Sequence, residues 1–278
     1  MSAPEPASEL YPAAGSGAGF AAGAELWLDR LGSVRDIVRQ ELAYRFLGAH
    51  LPASQAFGRP LRVLDAGCGQ GTQGLRLAAA GHDVTGLDLD ARMLAAFDEA
   101  IARCDAPVRD RVRLVLGAVD DAPRLLPPAS FDVVICHGVL MYLDDPAPAV
   151  AALAGMLRPG AVLSLLARNQ AGIALRAGFR GQWGESLAAL HGGTSYVNEL
   201  GVTARADTVA ELSSLVAAHG LDLLGWYGIR VLSDTATLDA TASHEDLELR
   251  LAAEEMAGRT DPYRSVAPLV QLVARAPT

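Results

Sequence analysis

Short apolar runs alternate along the chain with longer segments in which apolar residues recur every three or four positions. Short runs of this kind are typical of buried strands, and the longer spacing is typical of amphipathic helices. Strands are predicted from residue 61 into the following turn and at 83–88, 112–116, 131–136, 161–166, 221–231 and 269–276. Helices are predicted at 25–51, 75–80, 91–103, 147–157, 208–219 and 244–256. Such alternation predicts an α/β fold with a doubly wound, mostly parallel sheet.

The pattern also divides the chain of 278 residues. Residues 1–24 are rich in Ala, Gly, Pro and Ser, and we expect a flexible leader there. Residues 25–278 form one predicted domain, in which 25–55 is a helical N-terminal cap. Many glycines and aromatic residues interrupt the periodicity after residue 167, so 168–205 is predicted to be an insertion on the substrate side.

Composition limits the classes of function. The net charge of −9 provides no global attraction for nucleic acid. The three cysteines, Cys68, Cys104 and Cys136, lack metal-ligand spacing, so we expect no metal and a reducing, cytoplasmic environment. No signal peptide and no long uncharged apolar run are found, so no membrane span is expected. Alanine richness and a preference for Arg over Lys suggest a bacterial source.

A glycine-rich turn follows the first strand, with Gly67, Gly69 and Gly71 alternating after Asp65. Glycine lets a ligand approach the backbone closely, beside the N–H groups that open the next helix. A dinucleotide fingerprint would place another glycine where Thr72 stands, so an NAD-dependent oxidoreductase is the weaker alternative. Asp88 lies about 20 residues beyond the turn, where an acid can bind both ribose hydroxyls. Its alternative role is to cap the helix that begins near residue 91.

This turn resembles motif I of the class I S-adenosylmethionine (SAM) methyltransferases. The resemblance implies a Rossmann-like sheet of seven strands and SAM as cofactor. From about residue 32 to about 275, the chain also resembles the bacterial methyltransferases that esterify 5-carboxymethoxyuridine at the tRNA wobble position. The discriminating segments are 136–140, 228–231 and Asn169 with Gly172.

The family's cofactor contacts carry over to matching residues. Arg35 is expected to hold the SAM carboxylate and to close the cofactor site from above. Asp88 is expected to take the ribose, and His137 to lie beside the cofactor. The full set expected to bind SAM is Arg35, Asp65, Gly67, Cys68, Gly69, Asp88, Ala118, Val119, Asp120 and His137.

Four residues are candidates for binding the acceptor. Arg230 is a charged residue in an apolar strand pattern and can clamp a carboxylate, although an outward-facing ion pair is the alternative. Tyr142 and Trp183 can stack on a ring, or they can belong to the core. Asn169 enters through the resemblance. His137 is the one candidate general base, and its alternative role is to orient the cofactor.

Two departures from the family bear on the acceptor. Residues 191–198 contain no lysine where family members carry a lysine-rich run, and Met141-Tyr142 replaces an acidic–aromatic pair. Both weaken the case for tRNA and leave a small metabolite or a modified nucleoside as the expected acceptor, methylated at a carboxylate or another nucleophile. A non-enzymatic SAM-binding module is the alternative from another class.

Overall fold

The structure is a computed structural model that describes residues 33–51, 58–198, 200–234 and 244–278. The predicted leader at 1–24 lies outside the described residues. So do the two ends of the predicted cap, at 25–32 and 52–55.

A seven-stranded sheet forms the centre of the fold, with strand order β3-β2-β1-β4-β5-β9-β8. Strands β1 to β5 pair in parallel, and β9 runs antiparallel to both β5 and β8. The predicted mostly parallel, seven-stranded α/β sheet is therefore confirmed. Its strands are β1 Arg62–Ala66, β2 Asp83–Asp88, β3 Val112–Leu116, β4 Phe131–His137, β5 Leu157–Arg168, β8 Asp222–Ile229 and β9 Leu269–Arg275.

The helices alternate with these strands as the apolar pattern predicts. Four of them lie in the connections between β1 and β4: α2 Thr72–Ala79, α3 Ala91–Ala102, α4 Ala106–Arg109 and α5 Ala122–Leu125. The remaining helices are α1 Val34–Gly48, α6 Ala147–Met156, α7 Gln170–Phe179, α8 Trp183–Leu190, α9 Val209–Ala218 and α10 His244–Arg259.

Local chemistry fixes where several helices begin and end. The Asp90 carboxylate accepts a hydrogen bond from the Arg92 N–H at 2.9 Å and starts α3. Thr208 and Glu211 form a capping box that starts α9. Glycines with positive φ follow α2 and α9 at Gly81 (φ 93°) and Gly220 (φ 74°), where helices commonly end in the left-handed conformation.

Three segments differ from the prediction. A helix was expected to reach residue 157 and a strand to begin at residue 161; instead α6 ends at Met156 and β5 already begins at Leu157. The pairing of β4 with β5 shifts register there, which accommodates the extra residues as a bulge. The insertion contains a β-hairpin, β6 Ser195–Val197 with β7 Thr203–Arg205, besides its two helices. Strand β8 ends at Ile229, so Arg230 lies just beyond the strand.

Helix α1 is held on the sheet by its apolar face. Val38, Leu42 and Phe46 are fully buried and pack in one cluster with Ile229 of β8 and Leu251 of α10. Burial of each such side chain contributes roughly 1.5–3 kcal/mol. This packing fixes the start of α1, and with it two arginines, beside the carboxyl ends of the central strands.

Candidate cofactor and acceptor site

A cavity of about 810 Å³ opens where the parallel strands end, between the sheet, α1 and the insertion. The carboxyl ends of the strands are the usual place for a ligand in an open α/β sheet. All ten residues of the predicted cofactor set line this cavity. Of the four acceptor candidates, Tyr142 and Arg230 line it too.

The glycine turn forms the floor of the cavity. Gly67, Gly69 and Gly71 have φ angles of 73°, 54° and 82°, a region that favours glycine. A Cβ atom at Gly67 would overlap the Val139 side chain, and one at Gly71 would overlap the Phe97 ring. The turn therefore needs glycine at both places, for conformation and for space.

Asp88 ties the turn to the end of β2. One carboxylate oxygen accepts a hydrogen bond from the Gly69 N–H at 2.8 Å, and the other accepts one from the Asp90 N–H at 2.9 Å. The cap of α3 is Asp90, so the alternative role proposed for Asp88 as cap of that helix does not apply. Burial raises the pKa of the Asp88 carboxyl above its ordinary value.

Asp65 lies at the bottom of the same cavity. It is buried, and Oδ2 has no hydrogen-bond partner among the described residues. Burial, reinforced by the charge of Asp88, raises the pKa of the Asp65 carboxyl to about 7. A buried carboxylate oxygen without a partner is costly, and a cationic group such as the amino group of SAM would compensate it.

The residues at the two ends of this region suit the two ends of SAM. A carboxylate fits beside Arg35 of α1, which is buried against the same cavity as the glycine turn. Ribose hydroxyls fit beside Asp88, and an adenine fits beside Ala118 and Val119 at the end of β3. The polar atoms present therefore fit this cofactor.

Asp88→Ala is expected to weaken SAM binding by about 10-fold to 150-fold, because hydrogen bonds to a charged group contribute about 1.5–3 kcal/mol. Isothermal titration with SAM measures the change. Asp98→Ala, an exposed aspartate on the outer side of α3, is the matched control and should bind SAM as the wild-type chain does. Unchanged SAM affinity in a folded Asp88→Ala variant would contradict the ribose assignment.

His137 stands at the end of β4 as a neutral ring. Its Nε2 atom lies 2.9 Å from the Ser164 hydroxyl, and that hydroxyl accepts a hydrogen bond from Gln271 at 2.9 Å. Burial, together with the charge of Arg39, lowers the pKa of His137 to about 3. An imidazole this difficult to protonate is a weak base, which favours the cofactor-orienting role over general-base catalysis.

Aromatic and amide groups line the insertion side of the cavity. The Asn198 amide donates to the Tyr142 hydroxyl at 3.1 Å, and its oxygen accepts from the Leu200 and Val202 N–H groups. Burial raises the pKa of Tyr142 to about 12, so its hydroxyl stays protonated. Tyr196 packs nearby and also lines the cavity.

Arg230 makes a buried ion pair. Its Nη2 atom lies 3.0 Å from Oδ1 of Asp234, which also lies 3.4 Å from Arg35 and whose Oδ2 lies 3.3 Å from Arg176. Burial lowers the pKa of Arg230 to about 9. Although burial alone would raise it, the surrounding arginines hold the pKa of Asp234 below its ordinary value. Asp234 does not itself line the cavity, whereas the three arginines do.

Two acceptor candidates lie outside the cavity lining. The Asn169 amide donates to the Ser265 and Ala267 carbonyl oxygens at 2.9 and 2.7 Å, and so joins β5 to the segment before β9. Trp183 starts α8 and is 72% exposed. The structure does not bring either side chain to the glycine turn.

The sequence pattern did not single out five further residues of the lining: Arg39, Arg168, Arg176, Tyr196 and Asn198. Two of them carried a usable signal. Arg39 follows Arg35 by four positions, which places both on one face of a helix. Arg168 ends an apolar strand, as Asp88 and His137 end theirs.

Comparisons with known proteins agree with this geometry. Residues 64–165 match a family described as methyltransferase domain. The chain is 28% identical over 88% of its length, and over 91% of the relative, to the tRNA 5-carboxymethoxyuridine methyltransferase of Escherichia coli. An uncharacterized protein of Synechococcus is 37% identical, but the match spans 51% of this chain and only 34% of that relative.

Solved structures show the same fold. The 1,6-didemethyltoxoflavin-N1-methyltransferase of Burkholderia thailandensis, solved with S-adenosylhomocysteine, is 20% identical, with a TM-score of 0.56 over 96% of this chain and 93% of its own. The chain is a SAM-dependent methyltransferase with the class I fold, as the resemblance of the glycine turn to motif I predicted. It resembles in particular the tRNA 5-carboxymethoxyuridine methyltransferases, as the sequence segments indicated.

Two features are absent from the described part of the chain. No helix there is long and apolar enough to cross a membrane. Nor do three or more His, Cys, Asp or Glu side chains gather into a group that could hold a metal ion in those ranges.

Proposed function

We propose that this methyltransferase acts on an acceptor that carries a negative charge, most simply a carboxylate that becomes a methyl ester. The observation that carries the proposal is a set of buried or largely buried arginines that line one cavity together, namely Arg35, Arg168, Arg176 and Arg230. Guanidinium groups bind carboxylates through paired, charge-assisted hydrogen bonds. Their burial strengthens that preference, because solvent screens the charges less.

The backbone at Arg230 supports a functional role. Its φ angle is +63°, a conformation that a non-glycine residue adopts at a cost. Such strain persists where the surroundings enforce it, and it is concentrated at functional sites. Glu254 of α10 enforces it here, because its carboxylate accepts hydrogen bonds from the Leu232 and Ser233 N–H groups at 3.1 and 2.6 Å.

The available acid–base groups also favour a carboxylate. When bound, SAM would supply an electrophilic methyl group carried on a positively charged sulfur. A carboxylate is already ionised at neutral pH and needs no base, whereas a phenol or an amine usually does. His137, with its pKa near 3, and Tyr142, with its pKa near 12, are both poor bases at neutral pH. These residues bind and orient, and the alignment of the two reactants provides the rate.

Two acceptors share this chemistry. A modified tRNA nucleoside is supported by the likeness to the E. coli relative across 88% of the chain. A small metabolite is supported by the net charge of −9 and by the absence of lysine at 191–198. The charge argument leads us to place the small metabolite first. The proposed site of action is the cytoplasm.

A panel of carboxylic acids, each paired with its primary amide, tests the proposal. Release of S-adenosylhomocysteine is expected with one or more acids and with none of the matched amides. Mass spectrometry of tRNA nucleosides and metabolites from a deletion strain then separates the two acceptors. Methylation of amides and acids alike would overturn the anionic acceptor. SAM binding without transfer to any panel member or cell extract would favour a non-enzymatic binding module.

A further inference from the structure

We propose that Arg168 determines acceptor specificity by binding an anionic group of the acceptor directly. The inference rests on the proposed function, since it names the residue that selects the anion. It differs from the role given to Arg230, whose guanidinium is already paired with a carboxylate.

Arg168 lies where the sheet presents its reactive end. It is the last residue of β5. Leu166, two positions earlier, pairs with His137 of the neighbouring strand β4. Its other neighbour in the sheet is Leu269 of β9, which also lines the cavity. The side chain is 5% exposed and lines the same cavity as the glycine turn.

The guanidinium of Arg168 is held without a carboxylate. It donates to the Pro268 carbonyl oxygen at 3.4 Å and lies 5.1 Å from the centroid of the Tyr196 ring. Its Nε atom has no hydrogen-bond partner, and no carboxylate of the described residues forms an ion pair with it. The Tyr196 face and the carbonyl therefore orient a cation whose charge is not balanced by a contact.

A buried cation with no carboxylate in contact favours the binding of an anionic group of the acceptor. Burying a charge is costly unless it is paired and hydrogen-bonded, and an acceptor anion supplies both. The positive charge of Arg168 also lowers the pKa values of Arg39 and Arg230, as expected for cations that share one cavity. Asp234 interacts with the charge of Arg168 without forming an ion pair with it, so a neutral acceptor would leave Arg168 without a contacting anion. Methylation of the bound carboxylate would remove the compensation again and so weaken product binding.

Arginine Nε–Hε signals in nuclear magnetic resonance test the contact itself. The wild-type protein, saturated with S-adenosylhomocysteine, is titrated with benzoate, benzamide and inorganic phosphate. The Arg168 signal is assigned by its disappearance in Arg168→Lys. The Arg168 signal is expected to move with benzoate or phosphate and to stay in place with benzamide. If neither anion moves it, or if benzamide moves it equally, the inference is overturned.

Kinetics test its consequence, using an acid identified in the acceptor panel. Arg168→Gln is expected to lose about 30-fold or more in kcat/KM while its SAM affinity stays unchanged. Arg168→Lys keeps the charge but not the paired geometry, so its kcat/KM should lie between those of the wild type and Arg168→Gln. Arg264→Gln is the matched control, because Arg264 also stacks on a ring, Trp226, and donates to a backbone carbonyl, but it lies outside the cavity lining.

The outcomes separate this inference from the proposed function. Arg168→Gln and Arg168→Lys that both turn over the acid like wild type would overturn the inference and leave the carboxylate acceptor intact. A panel in which no acid is methylated would count against the proposed function. The benzoate and phosphate titrations would still decide whether Arg168 binds an anion. If Arg168→Gln fails to fold, Arg168→Lys and the wild-type titrations carry the test.

Discussion

Arg230→Met is expected to fold and to bind SAM as the wild-type chain does, while kcat/KM for the acceptor falls about 30-fold or more. Removing the arginine from a buried pair between Arg230 and the anionic group of the acceptor would cost about 2–5 kcal/mol of binding free energy. Folding should tolerate the change because Asp234 keeps Arg35 and Arg176 as partners, at 3.4 and 3.3 Å. The buried carboxylate is therefore not left without a counter-charge.

Arg158→Met is the matched control for this variant. Arg158 shares the buried Asp132 with Arg59 in the same way, at 3.1 Å, but it lies outside the cavity lining. It should lose at most a little stability and keep full turnover. Single-turnover rates, SAM titrations and thermal melts are measured for both variants and for Arg230→Lys, which should be intermediate because lysine lacks the paired geometry.

A structural ion pair predicts the opposite pattern for Arg230. In that case Arg230→Met and Arg230→Lys would both lose stability and keep wild-type catalytic efficiency in the folded fraction. Wild-type turnover by a well-folded Arg230→Met enzyme would remove the clamp from the proposed function. It would leave Arg168 as the remaining candidate for the anion.

The sheet and the glycine turn were predictable because local rules dictate them, whereas further cofactor contacts such as Arg35 and Ala118 were expected only through the resemblance. A parallel strand buried on both faces is a continuous apolar run, so β1 and β4 stand out in the sequence. β2 and β4 end at Asp88 and His137, a glycine follows each of β1 and β3, and the carboxyl ends of parallel strands meet at one edge. The contacts around Gly67 and Asp88 follow from that edge alone, without any knowledge of the rest of the fold.

The acceptor half depends on contacts between distant segments, which the local pattern does not encode. Arg230 was expected inside a strand, but β8 ends before it because Glu254, 24 positions further on, binds the N–H groups of the following turn. Asn169 was expected near the acceptor through the resemblance alone, but its amide donates to two backbone carbonyls of the segment before β9. Arg168 was overlooked because its importance comes from Tyr196 and Pro268 being beside it.

Close packing of α10 on β8 leads to the second large effect. Gly258→Ala is expected to lower the free energy of unfolding by about 3 kcal/mol, at the upper end of the usual cost of overpacking. A Cβ atom there would overlap the carbonyl oxygen of Gly228 and lie 3.0 Å from Cζ of Phe46. Neither neighbour can yield easily, because Gly228 is part of β8 and the Phe46 ring is fully buried.

Gly155→Ala is the matched control, since Gly155 is also helical but exposed, with no atom within 4 Å of an added Cβ. Alanine is favoured over glycine in a helix by about 1 kcal/mol, so this variant should be slightly more stable than wild type. Urea unfolding of both variants measures effects of opposite sign from the same chemical change.

Because α10 also carries Glu254, the strain that Gly258→Ala puts on β8 should reach Arg230 and raise the KM for the acceptor, with SAM affinity unchanged. A Gly258→Ala protein as stable as Gly155→Ala would mean that α10 does not lie this close to β8, and the anchoring of the Arg230 turn by Glu254 would lose its structural basis.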